Sequence, residues 1–438
     1  MGYKNSFEGI YTIESYMLSK TVTYVNTLKY LFLLSVVFTF HSCAEKDAEP
    51  EPEPFLTLSI AENYPEVGRL WGFITDSKGN VIVSQKLYAG RIKFLGTTPD
   101  VINLTLLKYF EDPIQSHYTF YTYPKIEAKS IVKLVQSNGG FYNPPNVVSN
   151  IEVAVTNFTS PNFETPSIFI SDGYSYSIIN DPAVSSSVRL ELRKPTVDVL
   201  LSSHNQDNTN PVYAWVNGVT NFDLPSVNFT DFKPYEKTVT LPAGISTSGY
   251  LAGYKTTGTD MQYRMFSSIF LQSGAGSTTP SRLGYLEGYD KYETEVSNTN
   301  WLVNPSRTTT YRKLGAINPT ITLPDYNLSI SNSSIESFAY NYTGNSSFQI
   351  HVHGYAVDTK YISWNVYTDG TGVPLFKDFP DDIKDKFPVL DFDKLAFQYS
   401  KFYHFTDGYS YPKFFTDMQE GNYPLNHQEY YDVTFVQY

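Results

Sequence analysis

Two histidines separated by a single residue, His351 and His353, are the first candidates for chemistry in this chain of 438 residues. On a β-strand, side chains two residues apart point to the same face, so both imidazoles could bind one metal ion. Catalytic zinc usually takes three protein ligands, and Asp358 is the candidate third ligand across a hairpin. The alternative, which the sequence favours, places both histidines on the exposed face of an aromatic-rich strand.

An acidic cluster further along the chain could bind calcium. Its members are Asp378, Asp381, Asp382, Asp385, Asp391 and Asp393. Calcium sites often take several oxygen ligands from one glycine-containing loop, and no such loop follows here. A proline at the first turn of a helix, followed by acidic residues, accounts for part of the cluster instead. The sequence therefore predicts a short helix over residues 380–387.

No other pattern gives a positive sign of catalysis. The chain has no Gly-x-Ser-x-Gly elbow, no His-Glu-x-x-His, no P-loop and no Rossmann glycine fingerprint. The carboxylate pair of a glycosidase has no fixed spacing in sequence, so hydrolysis stays open. One hypothesis is accordingly a β-sandwich hydrolase with a metal site at His351, His353 and Asp358. No cofactor is expected otherwise.

Aromatic residues are abundant, with 37 Tyr and 30 Phe. Aromatic faces stack on sugar rings, and Tyr and Trp anchor protein interfaces. The densest clusters are residues 118–123, 174–176 and 402–405, and the four tryptophans are Trp71, Trp215, Trp301 and Trp364. For any one cluster, packing in a sandwich core is the favoured interpretation. At this abundance, we nevertheless expect some exposed aromatic platform.

The single cysteine, Cys43, follows an apolar run over residues 30–40 and precedes an acidic, proline-spaced stretch. The run is shorter than the roughly 20 residues that a membrane-spanning helix needs. A short apolar segment after basic residues is typical of a secretory signal. The alternative for Cys43 is a buried or free thiol.

The stretch Phe40-His41-Ser42-Cys43 resembles the lipobox of bacterial lipoproteins, in which the cysteine is the acyl acceptor. Together with the acidic residues that follow, it resembles the signal of uncharacterised Bacteroidota-type surface lipoproteins. The resemblance implies lipidation at Cys43, attachment to the membrane through that lipid, and a place on the bacterial outer membrane with exposure at the cell surface. Residues 1–42 would then be a removed signal peptide, with Met17 as the expected start. Residues 43–54 would be an extended tether.

Charge and cysteine content narrow the class of protein further. The formal net charge is −12, and an acidic chain without a basic patch disfavours binding to nucleic acid. One cysteine leaves no pair for a disulfide, so the folded part must depend on apolar burial.

From residue 55 onwards the chain has the pattern of an all-β protein, with tandem antiparallel β-sandwich modules. Apolar and polar residues alternate over 56–60, 151–155 and 188–192. Residues 70–82 resemble the opening hairpin of carboxypeptidase-regulatory-like (transthyretin-like) sandwich modules, which implies a non-catalytic binding or spacer module. Breaks rich in Gly and Pro predict four modules, at 55–140, 141–243, 244–322 and 323–438, the last with a short helix.

Three hypotheses for function remain open. The first is a lipid-anchored surface protein that binds a glycan or a partner protein without catalysis. The second is a structural accessory lipoprotein of an outer-membrane assembly. The third is the hydrolase described above. An exposed aromatic platform favours the first, and a large apolar patch favours the second.

Overall fold

The computed structural model describes most of the chain after residue 52. The described ranges are 53–65, 67–96, 101–136, 146–158, 168–179, 185–204, 210–242, 246–257, 260–268, 282–370, 373–422 and 429–437. Cys43, the apolar run and nearly all of the predicted tether lie outside these ranges. Lipidation and signal removal therefore stay predictions.

One large sheet organises the fold. It has 12 strands, of which all neighbours except one pair are antiparallel. In spatial order the strands are β18 (Asp260–Ser268), β17 (Ser246–Thr257), β20 (Lys291–Asn300), β21 (Ser306–Gly315), β27 (Tyr430–Val436), β26 (Ala396–Phe405), β24 (Phe348–Val357), β25 (Lys360–Thr368), β6 (Ser116–Glu127), β5 (Val101–Glu111), β2 (Leu70–Thr75) and β3 (Val81–Leu87). The parallel exception, β25 against β6, joins residues far apart in sequence.

Five smaller sheets complete the described strands. They are β4 (Gly90–Leu95), β1 (Pro54–Ile60) and β7 (Ser130–Leu134); β10 (Tyr176–Ile179), β9 (Ile168–Ser171), β12 (Thr196–His204), β13 (Pro211–Thr220) and β15 (Lys233–Pro234); β11 (Ser185–Leu192), β8 (Ser149–Thr156) and β14 (Ser226–Asn228); β16 (Lys237–Thr240) and β19 (Arg282–Tyr285); and β22 (Leu328–Asn332) and β23 (Ala339–Tyr342). The predicted all-β class is confirmed.

The described residues contain two α-helices, α1 (Asp381–Lys386) and α2 (Tyr411–Gln419). Four short 3-10 helices lie at Val67–Arg69, Phe229–Asp231, Ile335–Ser337 and Phe392–Lys394. The helix predicted over 380–387 is confirmed, with Pro380 as its N-cap. Within the described part of the chain, neither helix has the length and apolar character needed to cross a membrane.

The hairpin predicted within residues 70–82 is also present, as β2 and β3. Its turn is held by Asp76, whose Oδ1 accepts hydrogen bonds from the backbone N–H groups of Lys78 and Asn80 at 2.8 and 2.9 Å. Gly79 has a φ of 79°, which an L side chain adopts only with strain. The sequence Asp-x-x-Gly-Asn thus specifies the turn through one side chain and one glycine.

Residues 141–243 differ from the rest of the chain in their sheet pairing. Their strands lie only in the smaller sheets, whereas strands from 55–140, 244–322 and 323–438 are hydrogen-bonded together in the large sheet. One cluster of buried apolar residues, from Ile151 to Phe229, lies between the sheet of β8 and the sheet of β12. We call this part, which spans β8 to β14, the second sandwich.

Candidate functional site

A cleft of about 510 Å³ opens in the second sandwich, between strand β10 at the edge of one sheet and strand β11 at the edge of the other. It is lined by Asn150, Ser175, Tyr176, Ser177, Arg189 and Glu191. All six side chains carry polar groups, and one of them is aromatic. We call this feature the polar cleft.

Strict alternation along β8 and β11 places the charged groups there. Residues Ile151, Val153 and Val155 point into the core and are buried, so the intervening positions face outwards. In β11 the same alternation buries Leu190 and exposes its neighbours Arg189 and Glu191. Residues Asn150 and Glu191 are paired across the two strands, which brings an amide and a carboxylate together.

The turn between β9 and β10 positions the other wall. Residue Asp172 is buried, and its Oδ1 accepts hydrogen bonds from the backbone N–H groups of Tyr174 and Ser175 at 2.8 and 2.6 Å. The hydroxyl of Ser177 donates to the carbonyl oxygen of Arg189 at 2.6 Å, which fixes β10 against β11. Hydrogen bonds to Asp172 and to the Arg189 carbonyl therefore hold the segment 174–177 in place.

Burial raises the pKa of Asp172, because a carboxylate loses hydration there. The backbone hydrogen bonds from Ser175 and Tyr174 oppose that rise by stabilising the charged form. Asp172 is thus a buried carboxyl group that shapes the turn beneath the cleft rather than a lining group.

Residue Tyr176 provides the aromatic surface of the cleft. Its side chain is 55% exposed, and its ring lies nearly parallel to that of buried Phe169, with centroids 6.2 Å apart and an interplanar angle of 19°. An exposed tyrosine ring can stack on a flat apolar ligand face.

The two charged residues that line the cleft differ in whether they form an ion pair. The guanidinium of Arg193 pairs with the Glu191 carboxylate at 3.1 Å and donates to the Ser175 hydroxyl at 3.0 Å. Arg189 has no carboxylate partner among the described residues. The cleft therefore carries one carboxylate that is paired with Arg193 and one guanidinium, Arg189, whose cross-strand neighbour is Glu152.

The structure does not bring together the predicted metal ligands. Both His351 and His353 are fully buried in β24, and Asp358 is exposed in the hairpin turn after that strand, with a φ of 52°. Among the described residues, no group of three or more His, Cys, Asp or Glu side chains could hold a metal ion. The favoured alternative, an exposed face, is wrong as well.

The surroundings of the histidines explain their burial. His351 Nδ1 lies 2.7 Å from the Ser400 hydroxyl, and its Nε2 lies 3.1 Å from the Gln349 side-chain oxygen. The ring of Phe338 packs against both histidines at centroid distances of 5.0 Å. Burial lowers the pKa of His351 to about 3 and that of His353 to about 4. Both rings are therefore neutral core groups at pH 7.

The other predicted candidates are divided between core and surface. Most rings of 118–123 and 402–405 are buried, as is Trp364. In the acidic cluster, Lys384 pairs with Asp378 at 2.6 Å and with Asp381 at 3.1 Å. The preference for a helix start over a calcium loop agrees with these ion pairs.

Of the three aromatic clusters, residues 174–176 supply the cleft. The clue in the sequence was the pairing of an aromatic turn with alternating strands that carry Arg189 and Glu191 on their outer face. No sequence pattern marks Asn150 as a site residue, because only the pairing of β8 with β11 brings it to the cleft.

Neither a protein-family model nor a curated protein matches this chain. The functional argument therefore depends on the chemistry of the residues.

Proposed function

We propose that this protein is a lipid-anchored cell-surface protein that binds a carbohydrate in the polar cleft, without catalysis. The observation that carries the proposal is the exposed ring of Tyr176 beside Asn150, Arg189 and Glu191. This combination of an aromatic residue with planar polar groups has the chemistry that sugars require.

A sugar ring presents C–H groups on its faces and hydroxyl groups around its edge. The C–H face packs on an aromatic ring, while the hydroxyl groups need both donors and acceptors. Arginine supplies donors only, carboxylate supplies acceptors only, and asparagine supplies both. The lining of the cleft therefore matches every part of such a ligand, and its volume falls within the usual range for small-ligand sites.

The composition of the cleft favours binding over hydrolysis. Glycoside hydrolases generally use a pair of carboxyl groups on either side of the scissile bond. Glu191 is the only carboxylate among the six lining residues, and its charge is paired with Arg193. A sugar in the cleft would therefore contact one carboxyl group, whereas glycoside hydrolysis generally requires two.

The anchor is the second part of the proposal, and it depends on sequence alone. A lipid on Cys43 followed by an extended tether would hold the sandwich near the outer membrane and expose it to surface or environmental glycans. Binding without catalysis is the role that such a placement suits.

The test is binding of the full chain, with Cys43→Ser to avoid lipidation, to a panel of oligosaccharides. Replacement of Tyr176 by Ala should weaken binding of a panel ligand about tenfold or more, because the stacking surface is lost. Tyr88→Ala is the matched control, since Tyr88 is 57% exposed and lies between β3 and β4, outside the second sandwich. Equal loss in both variants, or no ligand at micromolar concentration, contradicts the proposal.

A further inference from the structure

The three-stranded sheet of β4, β1 and β7 has a cationic outer face. Strand β1 lies in the centre, antiparallel to β4 and parallel to β7. Its residues Leu56 and Leu58 are buried in a core that this sheet shares with strands of the large sheet. The opposite face carries Arg91, Lys93 and Lys133, and all three are exposed. We call it the basic face.

Strand register places these cations side by side. Lys93 is opposite Thr57 of β1, whereas Arg91 and Lys133 are both opposite Ser59, one on each side of it. Neighbouring strands are about 4.8 Å apart, so the Cα atoms of Arg91 and Lys133 are separated by about 10 Å. The three cations therefore belong to one surface.

No carboxylate lies within that surface. Strands β1, β4 and β7 contain no Asp or Glu, although the whole chain has a formal net charge of −12. Helix α2 lies beside β7, where the Gln419 side-chain oxygen accepts a hydrogen bond from the Lys133 backbone N–H at 3.1 Å. The carboxylates next to these elements in sequence are Glu53, Glu62, Glu127 and Glu420. The sheet itself therefore presents positive charge only.

Two exposed apolar residues share the basic face. Leu95 is 53% exposed and Ile131 is 50% exposed. Leu95 lies two positions after Lys93 on β4, and Ile131 lies two positions before Lys133 on β7, so the alternation of a strand places each beside a cation. Apolar side chains among basic groups have the composition that binds an anionic membrane surface.

The predicted tether joins the fold in this same sheet. Strand β1 begins at Pro54, the last residue of the predicted tether 43–54. A tether of about 11 residues in polyproline geometry reaches about 34 Å. A lipid on Cys43 would therefore keep the central strand of the basic face within that distance of the bilayer.

We infer that the basic face docks on the anionic surface of the bilayer in which the protein is anchored. This inference rests on the lipid anchor of the proposed function and not on the polar cleft. Each Lys or Arg close to an anionic bilayer adds to the attraction. The anchor makes a weak attraction effective, because it keeps the face at a high local concentration near the membrane.

The competing occupant of the basic face is the acidic tether itself. Arg91 and Lys133 lie beside Ser59, however, which is five residues along β1 from Pro54, or about 17 Å. The tether would have to turn back over β1 to reach them, and its carboxylates offer nothing to the two apolar residues. An anionic bilayer provides both negative charge and apolar contact.

The experiment uses Cys43, the only cysteine, to couple the full chain to a maleimide lipid in vesicles. The vesicles consist of phosphatidylcholine alone or of phosphatidylcholine with phosphatidylglycerol. Acetylation rates, read by mass spectrometry, are compared for Lys93 and Lys133 and for two exposed control lysines of the large sheet, Lys291 and Lys360. Because the coupling replaces the natural lipid, the result does not depend on lipidation in the cell.

We expect the two lysines of the basic face to react severalfold more slowly on the anionic vesicles, while the control lysines react alike on both. High salt should remove this protection, since screening weakens the attraction. Arg91→Glu should also remove most of it, because an attractive charge becomes repulsive. Arg282→Glu, at an exposed arginine outside the basic face, is the charge-matched control and should keep the protection.

Three outcomes overturn the inference. Equal reaction of the basic-face lysines on both kinds of vesicle removes the bilayer contact, whereas continued binding of a panel sugar leaves the carbohydrate function intact. Equal loss of protection in Arg91→Glu and Arg282→Glu indicates a general effect of net charge. Protection that is present without vesicles, and that disappears with Glu49→Gln and Glu51→Gln, assigns the face to the tether.

Discussion

The tripeptides His351-Val352-His353 and Tyr174-Ser175-Tyr176 have the same form, with two ring side chains separated by one residue, yet of these four rings only that of Tyr176 is exposed. The histidines lie in a central strand of the large sheet and are fully buried. Residue Tyr176 lies at a sheet edge and is 55% exposed. The difference lies in what covers each strand, since the ring of Phe338 packs against both histidines.

This contrast separates structural polar groups from groups available to a ligand. In the large sheet, polar side chains bond to one another: the hydroxyls of Thr105 and Thr122 are 2.7 Å apart, and Trp364 Nε1 donates to Thr122 at 2.7 Å. In the polar cleft, by contrast, Arg189 is exposed and the side chain of Tyr176 is 55% exposed. Substitutions should therefore change stability in the first region and binding in the second.

The largest effect is expected from Trp364→Ala. This side chain is fully buried and packs against the rings of Phe120 and Phe379, at centroid distances of 5.2 and 5.3 Å. Its removal leaves a large cavity and takes one of the two hydrogen bonds from the Thr122 hydroxyl, which keeps Thr105 as a partner, so unfolding should become easier by about 3–5 kcal/mol. Urea unfolding measures the change.

The matched substitution is Trp301→Ala, at a tryptophan that is 48% exposed. It should change the free energy of unfolding by less than about 1 kcal/mol. Similar losses in the two variants would mean that the core around Trp364 does not carry the stability assigned to it.

The second effect is a loss of stability in acid. Residues His351, His353 and His204 are buried, which lowers their pKa values to about 3, 4 and 4 from the ordinary 6.5. The unfolded chain takes up protons below pH 6.5 that the folded chain takes up only near pH 3–4. Stability is therefore full above pH 6.5 and falls as pH decreases towards 4, by on the order of 2 kcal/mol per histidine.

Urea midpoints between pH 7 and pH 4.5 check this prediction. The substitution His351→Gln should reduce the slope by about one proton, whereas Tyr176→Ala in the cleft should keep the slope of the parent. An unchanged slope in the His351 variant would show that this imidazole is not buried in its neutral form.

How far the sequence predicts the structure differs between these two regions. Alternation predicted β8 and β11 on one side of the cleft, and Pro380 predicted the helix start, because these signals are local. The burial of His351 depends on Phe338 and Ser400, which reach it through contacts distant in sequence. Likewise, the sequence could not indicate that Asn150 and Tyr176 line one cleft, since their strands belong to different sheets.

The third effect concerns the turn beneath the cleft. Asp172→Ala removes the acceptor for the backbone N–H groups of Tyr174 and Ser175, so stability should fall by about 1–2 kcal/mol. Ligand binding should weaken as well, because Ser175 and Tyr176 lose their position.

The conservative substitution Asp172→Asn keeps an acceptor oxygen and removes a buried charge. It should retain ligand affinity and leave stability at pH 7 unchanged or slightly higher. Calorimetric titration with a panel ligand and urea unfolding measure both. If Asn is as damaging to binding as Ala, the charge of Asp172 acts on the ligand, and the role of a positioning residue is wrong.

The smallest effect is expected in the acidic cluster, which resembles a ligand site in sequence but not in its contacts. Asp378 is about half exposed and pairs with Lys384, so Asp378→Asn should change stability by less than about 0.5 kcal/mol. Calcium should not raise the melting temperature of either protein, because the nearby carboxylates pair with lysines or lie in the first turn of α1, where negative charge is favourable. A calcium-dependent rise that Asp378→Asn abolishes would instead make this cluster a cation site. Charged groups that pair within the protein would then also bind a ligand, so pairing would not separate structural groups from ligand-binding groups.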